Sequence, residues 1–340
     1  MLGEVTAFQS PPCEGRLFAG GNQPARRCLG ITHAEVQSSL LPVQARDLVQ
    51  TPFCTLVEFS IPAISAQADL LLVTPLSGHF AVLARDLVLG LLPYFRVYVM
   101  DWINVRHVPE KYGELGLDGN VACVLGFMQA LPPGLHVLGL CQGGVPALAA
   151  TALLAQRNDA RLPASLILMG APIDPLASPT SVVKLLRSKP LAWFEEHSIT
   201  TVPEDCAGAG RKVYPAHLHL IPLSVYLTRH IGQGSDSGEK VLFDDGADPG
   251  QFPFLDLYTS IMDLDAAFFL ENTRDVFQEC LLRENTFRFK GERVDLGAIQ
   301  TVALLTVEGE RDDISGLGQT GAAHGLCSGL AAGLHHNLVV

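Results

Sequence analysis

The stretch LHVLGLCQGG, residues 135–144, decides the fold of this 340-residue chain. An apolar run leads into Cys141, two glycines follow Gln142, and residues 145–155 are small and apolar. This order predicts a buried strand, a tight turn that carries the cysteine, and a helix. Such a turn is a nucleophile elbow of the pattern G-x-S-x-G, with sulfur in place of the hydroxyl oxygen. The pattern predicts acyl transfer through a thioester on Cys141; a buried structural cysteine beside a glycine pair is the alternative.

Strand-like and helix-like patterns alternate along the chain around this elbow. Apolar or alternating runs predict strands at 55–59, 70–73, 95–100, 165–169, 301–307 and 336–340, and helical spacing predicts helices at 80–92 and 118–131. Strands that alternate with helices form right-handed βαβ units, so a mostly parallel sheet is expected.

Composition restricts the class of protein. A formal net charge of −12 argues against nucleic-acid binding, which depends on neutralising phosphates with Lys and Arg, and favours an uncharged substrate. The longest stretch without a charged residue, 119–156, is broken by Pro and Gly, so no transmembrane segment is expected. No secretory signal is expected over residues 1–21. The eight cysteines form neither a C-x-x-C pair nor a cluster at ligand spacing, which predicts a reduced protein without zinc or a disulfide framework.

The patterns divide the chain into four predicted segments. Residues 1–51 are expected to be an irregular lead, and residues 52–178 the first part of an α/β core. Residues 179–295 are expected to be a helical cap insertion, and residues 296–340 the second part of the core. Because open α/β sheets bind ligands at the carboxyl ends of their strands, the cap is expected to lie over that edge.

A thiol nucleophile needs a base and a carboxylate that orients the base. Asp312 follows the predicted strand 301–307, where the acid is expected, and its neighbour Asp313 is expected to cap the next helix. Asp174 is the reserve acid, although an aspartate that forms a turn before Pro175 is its simpler interpretation.

The oxyanion hole is expected to combine two backbone N–H groups. One belongs to Gln142, and the other to Leu76 or Ser77 in the loop 74–79. His79, in the same loop, is expected to shape the substrate pocket rather than to act as the base.

The sequence does not provide a base that could accept the proton of the Cys141 thiol. His335 and His336 begin the final predicted strand, at the wrong end of the sheet for chemistry, and His324 is expected to be a surface or core histidine. The helix N-terminus directly after the elbow predicts a lowered pKa for the Cys141 thiol, and so preferential alkylation of Cys141.

These residues resemble the intracellular poly(3-hydroxybutyrate), or polyhydroxyalkanoate, depolymerases, a cysteine-nucleophile branch of the α/β-hydrolases. The resemblance covers Pro52 to the last residue and rests on PFC (52–54), PLSGH (75–79), DW (101–102), CQ (141–142), GAPID (170–174), WFE (193–195), GRKVYP (210–215), VFQ (276–278) and LTVEGERDDISGLGQT (305–320). It implies an α/β-hydrolase fold, Cys141 as nucleophile and Asp312 as triad acid. It also implies cytoplasmic hydrolysis of stored polyester at the granule surface, with the granule as partner and without a metal or other cofactor. A homo-oligomer is left open.

Three features depart from the family pattern. Gly143 and Gly144 stand where the depolymerases usually have a proline, which is closer to the G-x-C-x-G-G box of polyhydroxyalkanoate synthases. The lead before Pro52 is shorter than the family's helical lead and unlike it. The family's terminal Gly-His-Tyr string, which supplies the catalytic histidine, is absent, so the chain is expected to be truncated before the histidine loop. A synthase-like acyltransferase and a non-catalytic granule-binding homologue are the alternative functions.

Overall fold

A computed structural model describes residues 29–64, 67–219 and 260–340. The strands in these residues are β1 (His33–Val36), β2 (Ser39–Pro42), β3 (Gln44–Gln50), β4 (Cys54–Ser60), β5 (Ala68–Val73), β6 (Phe95–Trp102), β7 (His136–Leu140), β8 (Ser165–Met169), β9 (Thr200–Thr201), β10 (Lys212–Tyr214), β11 (Leu264–Asp265), β12 (Arg288–Phe289), β13 (Glu292–Arg293), β14 (Ala303–Glu308) and β15 (His335–Val339). The α-helices are α1 (Arg85–Leu91), α2 (Leu117–Ala130), α3 (Gly144–Gln156), α4 (Ser181–Arg187), α5 (Leu191–Ser198), α6 (Ala266–Asn272) and α7 (Ala323–Leu326), and a π-helical turn, Thr273–Gln278, continues α6.

Eight of the described strands form the central sheet, in the order β3-β4-β6-β5-β7-β8-β14-β15. Strand β4 is antiparallel to both of its neighbours, and the remaining pairs are parallel. The crossover between β5 and β6 and the turn from β7 into α3 give the architecture of an α/β-hydrolase, as the sequence predicts.

The central strands are buried on both faces because helices cover both sides of the sheet. In β5, Leu70 and Leu72 pack with Val88 of α1 on one face. Leu71 and Val73 face the opposite side, in the apolar core that α2 and α3 share. Parallel strands covered in this way read as continuous apolar runs, which explains the LLLV string of β5.

The uncharged stretch 119–156 folds into most of α2, the strand β7 and α3, in agreement with its predicted interruption. Nearly all of α3 is buried, because its small Ala-rich residues allow close approach to β7 and β8. In the part of the chain that the structure describes, no helix has the length and apolarity needed to cross a bilayer.

The predicted irregular lead, residues 1–51, differs from the structure over residues 33–50, where β1, β2 and β3 form. Strands β1 and β2 make a hairpin, and β3 joins the central sheet beside β4 with a register shift between Asp47 and Val49. All seven residues of β3 are exposed, so no apolar alternation marked this edge strand. Residues 1–28 lie outside the described part of the chain.

The described part of the predicted cap, residues 179–219 and 260–295, is less helical than expected. It contains α4, α5 and α6, but also a three-stranded sheet in the order β11-β10-β9 and the hairpin β12–β13. A buried ion pair ties it to the loop after β6, since Arg106 Nε lies 2.8 Å from Asp263. Arg211, which pairs with Asp265 inside the cap, also donates to the backbone carbonyls of Val108 and Pro109 in that loop. The cap segment therefore lies at the carboxyl end of β6, and the division into four segments stays a prediction.

Candidate active site

Cys141 lies on the sharp turn between β7 and α3 and has a φ of 51°. A non-glycine residue in this left-handed region carries a strain of about 1–3 kcal/mol, so its surroundings must enforce the conformation. The turn is tightly packed: a Cβ on Gly139 would lie 2.6 Å from Gly144 Cα, and a Cβ on Gly143 would collide with the Val73 carbonyl oxygen. The glycines of the GLCQGG string are thus required by close backbone approach, and the turn has the geometry of a nucleophile elbow.

The thiol of Cys141 is half-buried, and its surroundings favour the protonated form. Burial raises its pKa from 9.0 to about 11, the backbone N–H of Gln142 lowers it by a hydrogen bond to the sulfur, and the negative charge of Asp312 raises it again. The predicted lowering of the pKa is therefore wrong, because loss of hydration outweighs the backbone donor at the start of α3. A base is needed to make this thiol a nucleophile at neutral pH.

Four other cysteines of the described residues are free: Cys54, Cys123, Cys280 and Cys327. Burial raises the pKa of each of them, to about 11 for Cys123 and about 12 for Cys327. Cys123 is the half-buried one of the four, so it is the natural comparison for the reactivity of Cys141. Cys206 is disulfide-bonded, so the prediction of a fully reduced protein is wrong at this residue.

Asp312 lies in the loop after β14 and faces the elbow. Its Oδ1 accepts hydrogen bonds from the backbone N–H groups of Ile314, at 2.8 Å, and Ser315, at 3.0 Å. The charge of Asp312 acts on the Cys141 thiol, so the structure brings these two predicted site residues together. The capping role expected of Asp313 is wrong: Asp312 accepts those N–H groups, and the chain bends after it without forming a helix.

The loop that carries Asp312 is anchored by Glu308, a residue that is not among those predicted from the sequence. Glu308 is 4% exposed, and its Oε1 accepts the N–H groups of Gly318, Thr320 and Gly321 at 2.8, 3.0 and 3.1 Å. One carboxylate oxygen therefore fixes the far end of the loop 309–321. The available sequence signal was an acidic residue that ends an otherwise apolar strand.

The loop 74–79 approaches the elbow from β5. Leu76 is buried and Ser77 is partly exposed, and the N–H of neither donates a hydrogen bond to another described residue. The loop is held in place from the cap side, since the N–H of Met262 donates to the carbonyl of Gly78 at 2.8 Å. His79, also in this loop, is half-buried and pairs as an isolated bridge with Ile261.

The cap also reaches the residue that follows the nucleophile. Asn272, at the end of α6, donates through Nδ2 to the side-chain oxygen of Gln142 at 3.5 Å. Asn272 is 8% exposed and lies 130 positions away in the sequence, so no local pattern could predict this contact.

Asp174 has the structural role that its position before Pro175 suggests. Its Oδ1 accepts the N–H of Leu176 at 3.0 Å, and its Oδ2 forms an ion pair with Arg283 at 3.3 Å. One oxygen thus stabilises the turn after β8, and the other is held by Arg283.

His324 and His335 form a pair away from the elbow. Their Nδ1 atoms are 3.0 Å apart, and the Nε2 of His324 lies 2.9 Å from the Thr306 hydroxyl. His335 is in register with Leu304 at the amino end of β14, whereas chemistry is expected at the carboxyl end. Among the described residues, no histidine hydrogen-bonds the Cys141 sulfur or the Asp312 carboxylate.

The sheet order, the elbow and the acidic residue after β14 define an α/β-hydrolase. The chain belongs to the family described as PHB de-polymerase C-terminus, whose sequence model matches residues 170–340, half of the chain. Asp312 lies inside the matched range and Cys141 precedes it. Family and fold together support a hydrolytic role. A comparison with curated protein sequences finds no match.

Solved structures with a similar chain trace include several hydrolases. The enol-lactonase of Burkholderia xenovorans LB400 is 17% identical, with a TM-score of 0.45, and the match covers 91% of this chain and 90% of that one. A hydrolase from Pseudomonas aeruginosa PA01 is 15% identical, with a TM-score of 0.47, covering 87% and 90%. A soluble variant of monoglyceride lipase from Saccharomyces cerevisiae is 12% identical, with a TM-score of 0.47, covering 90% and 88%.

Proposed function

We propose that this protein hydrolyses the ester bonds of an intracellular storage polyester, poly(3-hydroxybutyrate), through a thioester on Cys141. The observation that carries the proposal is the elbow: Cys141 at a φ of 51°, on the turn after β7, with the charge of Asp312 acting on its thiol. Membership of a polyester depolymerase family supports the substrate class. We place the reaction in the cytoplasm, at the surface of the storage granule.

In the proposed reaction, Cys141 gives its proton to an imidazole base and attacks the ester carbonyl carbon. The N–H of Gln142, together with that of Leu76 or Ser77, holds the oxyanion of the tetrahedral intermediate. The C–O bond breaks, and the alcohol end of the polyester leaves with the proton. Water then attacks the thioester, which releases the 3-hydroxyacyl product as an acid and regenerates the thiol. Asp312 orients the imidazole and stabilises its charged form.

The test is direct detection of the acyl-cysteine. The chain is incubated with the methyl ester of the 3-hydroxybutyrate trimer, with and without imidazole in the buffer, and is quenched in acid for mass spectrometry. Added imidazole serves as an external base. We expect a 3-hydroxybutyryl group on the Cys141 peptide, increased by imidazole and abolished in Cys141→Ala.

Cys123→Ser is the matched control, because among the described residues Cys123 is the other half-buried free thiol, with a similar pKa. This variant should acylate as the parent does. Absence of the adduct from Cys141 under both conditions, or preferential acylation of Cys123, would overturn the proposal.

A synthase-like acyltransferase is the second candidate, and the Gly143-Gly144 pair favours it. Both glycines are tightly packed, Gly143 against Val73 and Gly144 against Ala171, so the geometry of the elbow depends on both. The two functions differ in product: with a 3-hydroxybutyryl thioester as donor, a synthase forms polymer, whereas a hydrolase releases the free acid.

A further inference from the structure

Six ring-bearing side chains form a continuous series of ring contacts beside the candidate site, which we call the aromatic row. In order from the loop 74–79 outward, with the distances between consecutive ring centroids, the row runs from His79 to His219 (6.4 Å), Tyr214 (4.7 Å), Phe269 (3.9 Å), Phe194 (6.2 Å) and Trp193 (5.3 Å). Its members come from a core loop, from β10 and the turn after it, and from α5 and α6.

The row meets the candidate site at two places. At its inner end, the ring of His219 leaves no room for a side chain on Gly78, in the loop that supplies the proposed oxyanion donors. In its middle, Phe269 lies three residues before Asn272 on α6, and so on the same helix face. Asn272 in turn contacts the side chain of Gln142. The row is therefore continuous with the surroundings of the nucleophile.

The row keeps more exposed surface than the aromatic residues of the core. Phe194 is 4% exposed, whereas the other five members are partly exposed. By contrast, Trp102, at the end of β6, belongs to the apolar core and is 2% exposed. A contiguous, partly exposed aromatic surface that adjoins a reactive site is a common feature of binding sites for apolar ligands.

Two members of the row, His219 and Tyr214, are uncharged at neutral pH. Burial and the nearby His79 and His217 lower the pKa of His219 to about 3, and burial raises the pKa of Tyr214 to about 12. Charged groups lie at the outer end, where Lys189 Nζ is 5.6 Å from the centre of the Trp193 ring. An uncharged aliphatic chain matches this surface, because a charged ligand would lose hydration there without gaining a partner.

We propose that the aromatic row binds an uncharged aliphatic ester chain and presents one of its ester groups to Cys141. This inference rests on the proposed function for the identity of the ester, and it adds the surface that holds the chain beyond the bond being broken. The row then determines preference for chain length: a trimer reaches along it, whereas a monomer ester occupies the inner end alone.

The test measures binding without catalysis, in the Cys141→Ala variant. The chain has two tryptophans, and Trp102 is buried, so solvent-sensitive changes in fluorescence report Trp193 in the row. The probe is the methyl ester of the 3-hydroxybutyrate trimer. We expect saturable binding that changes the Trp193 emission, weakened about five- to tenfold by Phe269→Leu, because an aromatic anchor is truncated. Trp193→Phe should remove the fluorescence signal, while calorimetry still detects binding.

Tyr94→Leu is the matched control, since Tyr94 is a 71% exposed aromatic residue that directly precedes β6, outside the row. It should bind the probe as the parent does, and the melting temperature of each variant shows whether it is folded. If Phe269→Leu destabilises the fold, Tyr214→Leu, at a partly exposed residue of the row, takes its place. Unchanged affinity in a folded row variant, or binding that leaves Trp193 unaffected, overturns the proposal.

Failure of this inference and failure of the proposed function give different results. If the probe binds along the row but never acylates Cys141 in the parent chain, the proposed reaction fails and the binding site stands. If Cys141 acylates equally fast in the parent and in Phe269→Leu at every trimer concentration, the row fails and the reaction stands.

Discussion

The pKa of the nucleophile gives the sharpest test of the site, because the sequence and the structure predict opposite shifts. A helix N-terminus after the elbow predicts a thiol that ionises easily. The structure instead shows a half-buried sulfur beside the carboxylate of Asp312, with a pKa raised from 9.0 to about 11. Two pH units correspond to a thiolate fraction about 100-fold smaller at neutral pH than that of an ordinary cysteine.

The assay is alkylation of the native protein by iodoacetamide between pH 6.5 and 10, followed by mass spectrometry of the Cys141 peptide. Because the thiolate is the reactive form, the rate should rise about tenfold per pH unit throughout this range and show no plateau. Cys123→Ser removes the other half-buried free thiol of ranges 29–64, 67–219 and 260–340, and should leave the Cys141 profile unchanged. Asp312→Asn should shift the profile to lower pH, since it removes the charge that disfavours the thiolate.

A rate that levels off below about pH 9 would refute this reasoning. It would mean that the sulfur is ionised by a positive group or by stronger backbone donors than Gln142 provides, as the sequence pattern suggests. An unchanged pH profile of alkylation in Asp312→Asn would mean that the charge of Asp312 does not act on the Cys141 thiol. Asp312 would then not belong to the active site.

Three further outcomes are expected. Glu308→Ala should lower the free energy of unfolding in urea by about 3 kcal/mol or more, because three buried N–H groups lose their acceptor, and Glu308→Gln should cost less because it keeps a carbonyl oxygen. Arg211→Met should cost about 3–5 kcal/mol at pH 7.5, since it leaves the Asp265 carboxylate buried without its ion pair. Burial already raises the pKa of Asp265, so this cost should shrink as acid protonates it, and an equal cost at pH 5 would contradict the reasoning. Burial raises the pKa of the free thiols, such as Cys327, above their values in the unfolded chain. The unfolded chain therefore ionises first, and the free energy of unfolding should fall as pH rises above about 9. Melting temperatures measured from pH 8 to 10.5 would show this loss.

Local sequence patterns were sufficient for the elements that carry strong periodicity. The predicted strand 165–169 coincides with β8, and the predicted helix 118–131 differs from α2 by one residue at each end. Each of these elements has a regular backbone and buries part of its side chains against neighbouring elements, so its apolar spacing follows from burial. The elbow was also predictable, because close backbone approach demands glycine at fixed distances from the nucleophile.

Features that depend on distant residues were not predictable in this way. The ion pair between Arg106 and Asp263 joins residues 157 positions apart, and the contact between Asn272 and Gln142 spans 130 positions. Edge strand β3 is exposed along its whole length and carries no apolar alternation. The prediction for the pKa of Cys141 was wrong for the same reason. Desolvation of the sulfur depends on all the residues that pack around it, and not on the turn alone.

The role of Asp312 depends on what lies between its carboxylate and the sulfur. Acting directly on the thiol, its negative charge raises the pKa of Cys141 and so opposes formation of the nucleophile. With an imidazole between them, the same charge stabilises the imidazolium that forms when the thiol gives up its proton.

Asp312→Asn should therefore speed alkylation of Cys141 in plain buffer, yet slow the imidazole-dependent acylation of Cys141 by the trimer ester. Measuring both rates on one variant separates a carboxylate that is merely near the thiol from one that belongs to a triad, because only the second gives effects of opposite sign. Effects of the same sign would assign Asp312 a structural role in its loop, through its bonds to Ile314 and Ser315.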